Sequence, residues 1–364
     1  MKFKSHICFV LLLIAIVAST VFAQSASEKD PGTSHVASFL APKTDSTGAG
    51  GLLNTAADVN PSASEEHKPA AVEFVQNSLR AGIASLDAGR YKDAIASFEA
   101  AGQLAPNSSV IYTWLGHAYL GLDEYENSVK ACERALSLGS TSFALRRALG
   151  IGYLRLGKPE RAILTLQETT RLEPQAAANH YLLAVAYNDS EQLNDAADHF
   201  LRSIGLDRNF YLSYFGLASI YADQSRTEDA IGLLKEALRL KPDFEEAYLA
   251  LANILSSSGN YKDAIRNYDS AIKLNPQNPI AQNNLGVAYL QMGKNKEGLG
   301  AFKCAATLNP SIGQIHLNLA RAYLRSGNKD GALAEYTALK TIDSALAKIL
   351  YSEIFQKRIL KARY

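Results

Sequence analysis

The chain has little cysteine, little tryptophan and almost no net charge. Its 364 residues include three cysteines, one tryptophan and a formal charge of +1. A balanced charge gives no electrostatic basis for binding nucleic acid. Cys8 lies in an apolar run near the N-terminus, while Cys132 and Cys304 lie far apart in the repeats described below. We therefore expect free thiols, and so few cysteines suit a bacterial periplasm better than a disulfide-rich extracellular setting.

Patterns typical of catalysis and metal binding are also missing. The sequence has no Gly-rich phosphate loop, no nucleophile elbow and no Ser/His/Asp set at a supporting spacing. The histidines of the repeats, His117, His180, His199 and His316, lack the i, i+4 spacing of metal-binding helices. We therefore predict that the protein is not an enzyme and has no catalytic residue, no cofactor and no metal site.

A fixed period of 34 residues organises most of the chain. Eight blocks align in one frame without a gap or an insertion. They begin at Val75, Ser109, Phe143, Ala177, Tyr211, Glu245, Pro279 and Gly313. A period of this length is typical of a stacked repeat array. Such arrays offer long surfaces rather than one catalytic cleft.

Residue types recur at helical spacing within each block. The eighth position is always Gly or Ala, as in Gly150 and Ala252, which allows two helices to approach closely. Leu at the seventh position and Tyr at the eleventh lie one turn apart on one face. A second half has small residues at position 20 and large ones at position 24. Because Gly between the halves and Pro after the second half break helices, each block is predicted to be a helix-turn-helix whose columns form the core.

These columns resemble those of the tetratricopeptide repeat family. Tyr248, Leu251, Ala252 and Tyr268 belong to one good copy of the family pattern. The resemblance covers about three quarters of the chain. It implies an all-α fold, namely a right-handed α-solenoid of about eight helix-turn-helix units over residues 69–346.

The segment before the repeats is predicted to have two parts. A basic start, an apolar run and small residues before Ala23 are typical of a secretory signal peptide, residues 1–23, cleaved after Ala23. This predicts a secreted or periplasmic protein, with an uncleaved N-terminal membrane anchor as the alternative. Residues 24–68 are rich in Ser, Thr, Ala, Pro and Gly and are predicted to be a disordered tether.

Residues 347–364 follow the last block and are predicted to form a capping helix. The residues that can cover the last repeat are Ile349, Leu350, Ile354, Phe355 and Ile359. The opposite face is basic, so it would contact acidic partners or lipid head groups, or remain solvated. An apolar inner face with a polar outer face is what the exposed end of an array requires.

The resemblance implies that the first helix of each repeat lines a concave groove. Its inward positions are mainly the second, fifth, sixth, ninth and twelfth. They are partly apolar in blocks four and five, and rich in amides and arginine in blocks six to eight. The predicted partner-binding residues are Tyr181, Val185, Asn188, Phe215, Asn253, Asn283, Asn284, Asn318 and Arg321.

Asn284 and Asn318 occupy the same column in consecutive blocks. A side-chain amide carries both donors and an acceptor, so stacked asparagines can bind the backbone of an extended peptide without reading its sequence. This arrangement is similar to the asparagine ladder in the repeat region of O-linked N-acetylglucosamine transferases, with two rungs only. The alternative is that both are tolerated polar surface residues.

Three functions stay open at this point. The first is a non-catalytic scaffold that binds an extended segment of a partner protein in the groove, outside the cytoplasm. The second is a structural or assembly component of a cell-envelope complex, such as outer-membrane, pilus or export machinery. The third is an accessory arm of an enzyme on another chain. The predicted partners are other proteins, with membrane contact only through an uncleaved signal or the basic C-terminal helix.

Overall fold

A computed structural model describes residues 68–356, which form 17 α-helices and no strand. The helices are α1 (Lys68–Asp87), α2 (Tyr91–Leu104), α3 (Ser109–Gly121), α4 (Tyr125–Ser137), α5 (Phe143–Arg155), α6 (Pro159–Leu172), α7 (Ala177–Asp189), α8 (Leu193–Leu206), α9 (Tyr211–Asp223), α10 (Thr227–Leu240), α11 (Glu245–Ser257), α12 (Tyr261–Leu274), α13 (Pro279–Gln291), α14 (Asn295–Leu308), α15 (Gly313–Arg325), α16 (Lys329–Ile342) and α17 (Ser344–Tyr351), followed by a π-helical turn (Ser352–Gln356). The fold is an all-α solenoid of helical repeats, as predicted.

The predicted signal peptide and all but the last residue of the predicted tether lie outside the described residues. Within residues 68–356, no helix combines the length and apolarity needed to cross a bilayer. The described residues divide into two compact units, residues 68–217 and residues 218–356, and each is described by itself. In both units, successive helices along the chain pack against each other, as α3 does on α4 and α13 on α14.

The helix starts coincide with the 34-residue frame in seven of the eight blocks. Helices α3, α5, α7, α9, α11, α13 and α15 each begin at the first residue of a block. The first block differs, because α1 begins at Lys68, seven residues before Val75. No proline-marked turn precedes Val75, so nothing in the sequence ends the helix there.

The small columns place glycine and alanine where helices meet. Ala230 and Ala264, at position 20 of their repeats, have no exposed surface. A Cβ added to Gly286, at position 8, would lie 2.8 Å from the Phe302 ring. These columns therefore set how closely the two helices of a repeat pack.

The turn between the two helices of a repeat has one backbone conformation throughout the described residues. The fifteenth position of all eight repeats has a positive φ, for example 70° at Gly89. Glycine adopts this conformation without a steric cost and occupies five of these positions. The turn therefore favours the glycines identified as breakers in the sequence, while Asp123, Glu191 and Ser225 adopt the same conformation in the other three repeats.

The C-terminal end differs from the predicted cap. Helix α17 begins at Ser344, three residues earlier than predicted, because the Asp343 carboxylate accepts hydrogen bonds from the backbone N–H groups of residues 345 and 346. Ala347 and Leu350 are buried and cover the last repeat. Ile349 is 44% exposed, so its predicted covering role is wrong. The part of the predicted capping helix beyond residue 356 lies outside the described part of the chain.

Candidate partner-binding surface

The predicted groove residues of the first unit have different environments. Tyr181 is only 6% exposed, and its ring packs between those of Phe200 and Phe210, with centroids 5.9 and 5.3 Å away. Its predicted place on an open groove is therefore wrong, because two aromatic rings take it into the core. Val185 and Phe215 are half-buried, and Asn188 is exposed at the end of α7.

The predicted asparagines of the second unit form one hydrogen-bonded chain, here called the amide row. It contains Asn253 of α11, Asn283 and Asn284 of α13, and Gln314 and Asn318 of α15. Gln314 donates to Asn318 at 3.1 Å, and Asn318 donates to Asn283 at 2.9 Å. Asn283 donates to Asn284, which donates to Asn253, each at 3.0 Å. The first helices of three consecutive repeats are thus joined by side-chain amides.

Every bond of the amide row runs in the same direction. Each Nδ2 or Nε2 group donates toward the preceding repeat or along its own helix, so the bonds polarise one another. At one end, Asn253 Oδ1 accepts two hydrogen bonds, while its Nδ2 has no partner within residues 68–356. Each further amide keeps a second N–H. The row therefore presents donors to a molecule lying along it.

The amide row is anchored in the core at this end. Tyr268 of α12 is 2% exposed, and its hydroxyl donates to Asn253 Oδ1 at 2.7 Å. Asn283 is 5% exposed, so its amide links Asn284 and Asn318 from a buried position. Asn284 and Asn318 are half-buried and lie nearer the surface. Buried contacts thus hold the half-buried amides in place before any partner binds.

Arg321 lies one turn after Asn318 on α15 and is already paired. Its Nη2 donates to Glu353 Oε1 at 2.7 Å, and its Nε lies 3.1 Å from Oε2. Glu353 belongs to the π-helical turn that follows α17. One turn beyond, the exposed Arg325 contacts the carbonyl oxygen of Leu290 at 3.4 Å. The predicted groove arginine is therefore occupied by the chain's own carboxylate.

Sequence reasoning missed Gln314 and Glu353. Gln314 occupies the second position of its block, which is one of the inward columns, so a complete reading of that column would have found it. No sequence signal links Glu353 to Arg321, because Glu353 follows the last repeat and has no column.

A histidine pair was also missed. Nδ1 of His180 on α7 lies 2.9 Å from Nδ1 of His199 on α8, in the same repeat. His180 Nε2 is 3.1 Å from the carbonyl oxygen of Pro174, which can only accept, so in the neutral ring Nδ1 accepts from His199. Burial lowers both pKa values, that of His199 to about 4. The two rings also stack, with centroids 5.2 Å apart, so the pair joins the two helices of this repeat.

The last repeat also has a histidine at the fourth position, His316, but its hydrogen-bond partners differ from those of His180. His316 Nε2 lies 3.0 Å from the carbonyl oxygen of Pro310, and its Nδ1 lies 2.6 Å from Glu335 Oε2. Both ring nitrogens thus face acceptors, whereas His180 faces a second histidine. In these two repeats the histidine at the fourth position therefore ties the first helix to the preceding proline turn and to the second helix of the same repeat.

Comparison with known proteins agrees with the helical repeats. Three sequence models of protein families match. One, described as TPR repeat, matches residues 252–293. Two are described as tetratricopeptide repeat: the first matches residues 85–146 and 221–266, and the second matches residues 147–209 and 287–347. No curated protein matches the chain.

Solved structures share this fold at low sequence identity. One of Pseudomonas aeruginosa pilF is 18% identical, covers 58% of this chain and 97% of its own, and has a TM-score of 0.53. A tetratricopeptide repeat protein from Parabacteroides merdae is 14% identical, covers 66% of this chain and 96% of its own, and has a TM-score of 0.51. At these identities the likeness concerns the fold alone. The repeat models and the helix-turn-helix units together show that this chain belongs to the tetratricopeptide repeat family.

Proposed function

We propose that this protein is a non-catalytic scaffold that holds an extended segment of a partner protein along the amide row. Tetratricopeptide repeats indicate a protein-interaction scaffold, and this supports the general class. The observation that carries the specific proposal is the unbroken chain of amides across α11, α13 and α15.

An extended backbone matches the chemistry of the amide row. Neighbouring helices pack about 8–10 Å apart, so the row spans about 20 Å from α11 to α15. An extended chain rises about 3.3 Å per residue, so about six residues would lie along it. Their carbonyl oxygens need donors once they leave water, and the row offers N–H groups held in place by Tyr268 and Asn283.

The end of the row allows a test that leaves the network intact. In Asn253→Asp, the new carboxylate still accepts from Tyr268 and Asn284, and only the outward Nδ2 donors disappear. We expect partner capture to weaken about 3- to 10-fold, which corresponds to one lost hydrogen bond. The matched control is Asn295→Asp, which adds the same charge at an exposed position of α14.

The measurement is quantitative capture from an envelope extract of the source cells, followed by mass spectrometry. A protein retained by the wild type and by Asn295→Asp but reduced with Asn253→Asp supports the proposal. Equal capture by all three chains would show that the amide row does not contact the partner.

We also propose that the protein acts outside the cytoplasm, because residues 1–23 have the organisation of a signal peptide. N-terminal sequencing of the protein from its own cells tests this, with cleavage after Ala23 as the expected result. A chain that retains residues 1–23 in the membrane fraction would favour the anchor instead.

The second candidate is a component of an assembled envelope complex, which the class of repeat scaffold supports. Light scattering of the purified protein over a range of concentrations distinguishes part of this alternative. A measured molar mass equal to that of one chain at every concentration disfavours self-assembly. A molar mass that grows with concentration favours it.

A further inference from the structure

The pair of Arg321 and Glu353 joins two parts of the chain with different roles. Arg321 occupies the ninth position of its repeat, the same column as Asn253 at the end of the amide row. Glu353 follows the capping helix and reaches back across 32 residues. Two of the guanidinium nitrogens, Nε and Nη2, contact the carboxylate, which is the geometry that makes arginine selective for carboxylates.

Glu353 is not needed to cover the end of the array. Ala347 and Leu350 cover it instead. They are 4% and 0% exposed and pack against Leu317 and Leu339. The side chains of Arg321 and Glu353 are 31% and 30% exposed, so water reaches both groups. The ion pair can therefore open without exposing the apolar contacts of the cap.

The charges near Arg321 favour the binding of a carboxylate from another molecule. Arg325 lies one turn further along α15 and is exposed. Glu335 of the neighbouring helix α16 is engaged by His316. Two guanidinium groups thus follow the amide row on α15, and Glu353 is the one carboxylate bound to them in the described part of the chain.

We propose that the segment bound along the amide row carries an acidic side chain that replaces Glu353 on Arg321, and that Glu353 occupies this position only in the free protein. This inference rests on the proposed function and adds the chemistry of the partner. The amides bind the backbone, whereas Arg321 selects a carboxylate at the C-terminal end of the row.

Glu353 then acts as a weak internal competitor. A partly exposed ion pair is worth little, so Glu353 leaves Arg321 open for a fraction of the time. Apparent affinity falls in proportion to the open fraction. Removing the competitor is therefore expected to strengthen the binding of an acidic segment about 3- to 6-fold.

The experiment uses full-length protein and an array of synthetic nonapeptides. Each peptide consists of Ser, Thr, Ala and Gly with a single Glu, and each has a partner peptide with Gln in its place. The wild type, Glu353→Gln, Arg321→Gln and the double variant are compared. Glu236→Gln is the matched control, because it removes an arginine-paired carboxylate on α10.

We expect Glu353→Gln to retain Glu peptides more strongly than the wild type, with little change on Gln peptides. In both chains with Arg321→Gln the preference for Glu should disappear, and Arg321→Lys should restore only part of it. Glu236→Gln should behave as the wild type. Thermal unfolding of each variant checks that the cap remains in place.

Two results would overturn the inference and are distinguishable. Equal binding of Glu and Gln peptides, or a Glu preference that survives Arg321→Gln, refutes the acidic partner while the scaffold proposal stands. No binding of any peptide by any chain refutes the extended-segment proposal as well.

Discussion

The Tyr153 hydroxyl donates a hydrogen bond of 2.6 Å to Glu133 of the preceding repeat. Tyr119 makes the same contact with Glu99, at 2.7 Å, one repeat earlier. In each pair the tyrosine is at position 11 and the carboxylate at position 25 of the repeat before it. In these two repeats the tyrosine at position 11 therefore joins neighbouring repeats through its hydroxyl group.

Loss of this hydroxyl should weaken the first unit. Burial and the hydrogen bond to Glu133 raise the pKa of Tyr153 to about 12, so the group stays a donor at neutral pH. We expect Tyr153→Phe to lower the free energy of unfolding by about 1 kcal/mol. A double-mutant cycle with Glu133→Ala, which removes the acceptor, measures the coupling in urea unfolding. A value indistinguishable from zero would mean that the hydrogen bond contributes nothing between repeats.

Two glycines of the seventh repeat should respond oppositely to alanine. A Cβ on Gly286 would lie 2.8 Å from Phe302, so Gly286→Ala should destabilise by about 1–3 kcal/mol through overpacking. Gly300 is exposed in the middle of α14 and has nothing within 4 Å of an added Cβ. Gly300→Ala should stabilise by about 0.5–1 kcal/mol. Urea unfolding of both variants measures the two changes, and a stabilising effect of Gly286→Ala would refute the close approach at Gly286.

Removal of the outer amides should affect stability as well as binding. In Asn284→Ala with Asn318→Ala, the buried Asn283 loses the acceptor of its Nδ2 and the donor to its Oδ1. We expect a loss of about 2 kcal/mol in the free energy of unfolding. A triple variant that adds Asn283→Ala leaves no buried amide without its hydrogen-bond partners, so it should recover part of the lost free energy of unfolding. Equal stability of the wild type and the double variant would show that Asn283 finds other partners.

His117 should make the first unit sensitive to acid. Its Nε2 is buried without a hydrogen-bond partner within residues 68–356, and desolvation, followed by the charge of Arg147, lowers its pKa to about 4. The unfolded chain, with a pKa near 6.5, takes up this proton first. The stabilising contribution is therefore complete above about pH 6.5 and is lost as pH falls to about 4, by up to about 3 kcal/mol.

The only tryptophan reports on this histidine directly. Trp114 lies on the same helix, with its ring centroid 6.0 Å from that of His117. Urea unfolding followed by Trp114 fluorescence at about pH 7 and about pH 4.5 measures the effect. His117→Phe removes the titrating group and should reduce the pH dependence relative to the wild type. An unchanged difference between the two pH values would assign the acid sensitivity to carboxylates.

The repeat length, the helix pairs and the turns could all be predicted from the sequence. These follow from local rules, since a helix places residues three and four apart on one face, and a left-handed turn favours glycine. The helix starts at Phe143 and Glu245 could therefore be read from the frame. The amide columns at Asn284 and Asn318 were visible for the same reason.

The contacts of the groove side chains could not be predicted from the sequence, because they depend on tertiary packing. Tyr181 is buried by the rings of Phe200 on α8 and Phe210 in the loop that follows, Asn283 bonds to Asn318 of the next repeat, and Glu353 pairs with Arg321. These contacts bring together residues that lie up to 35 positions apart in the chain. A periodic pattern specifies which face a residue lies on. It does not specify which distant side chain reaches that residue, because this depends on the packing of whole helices.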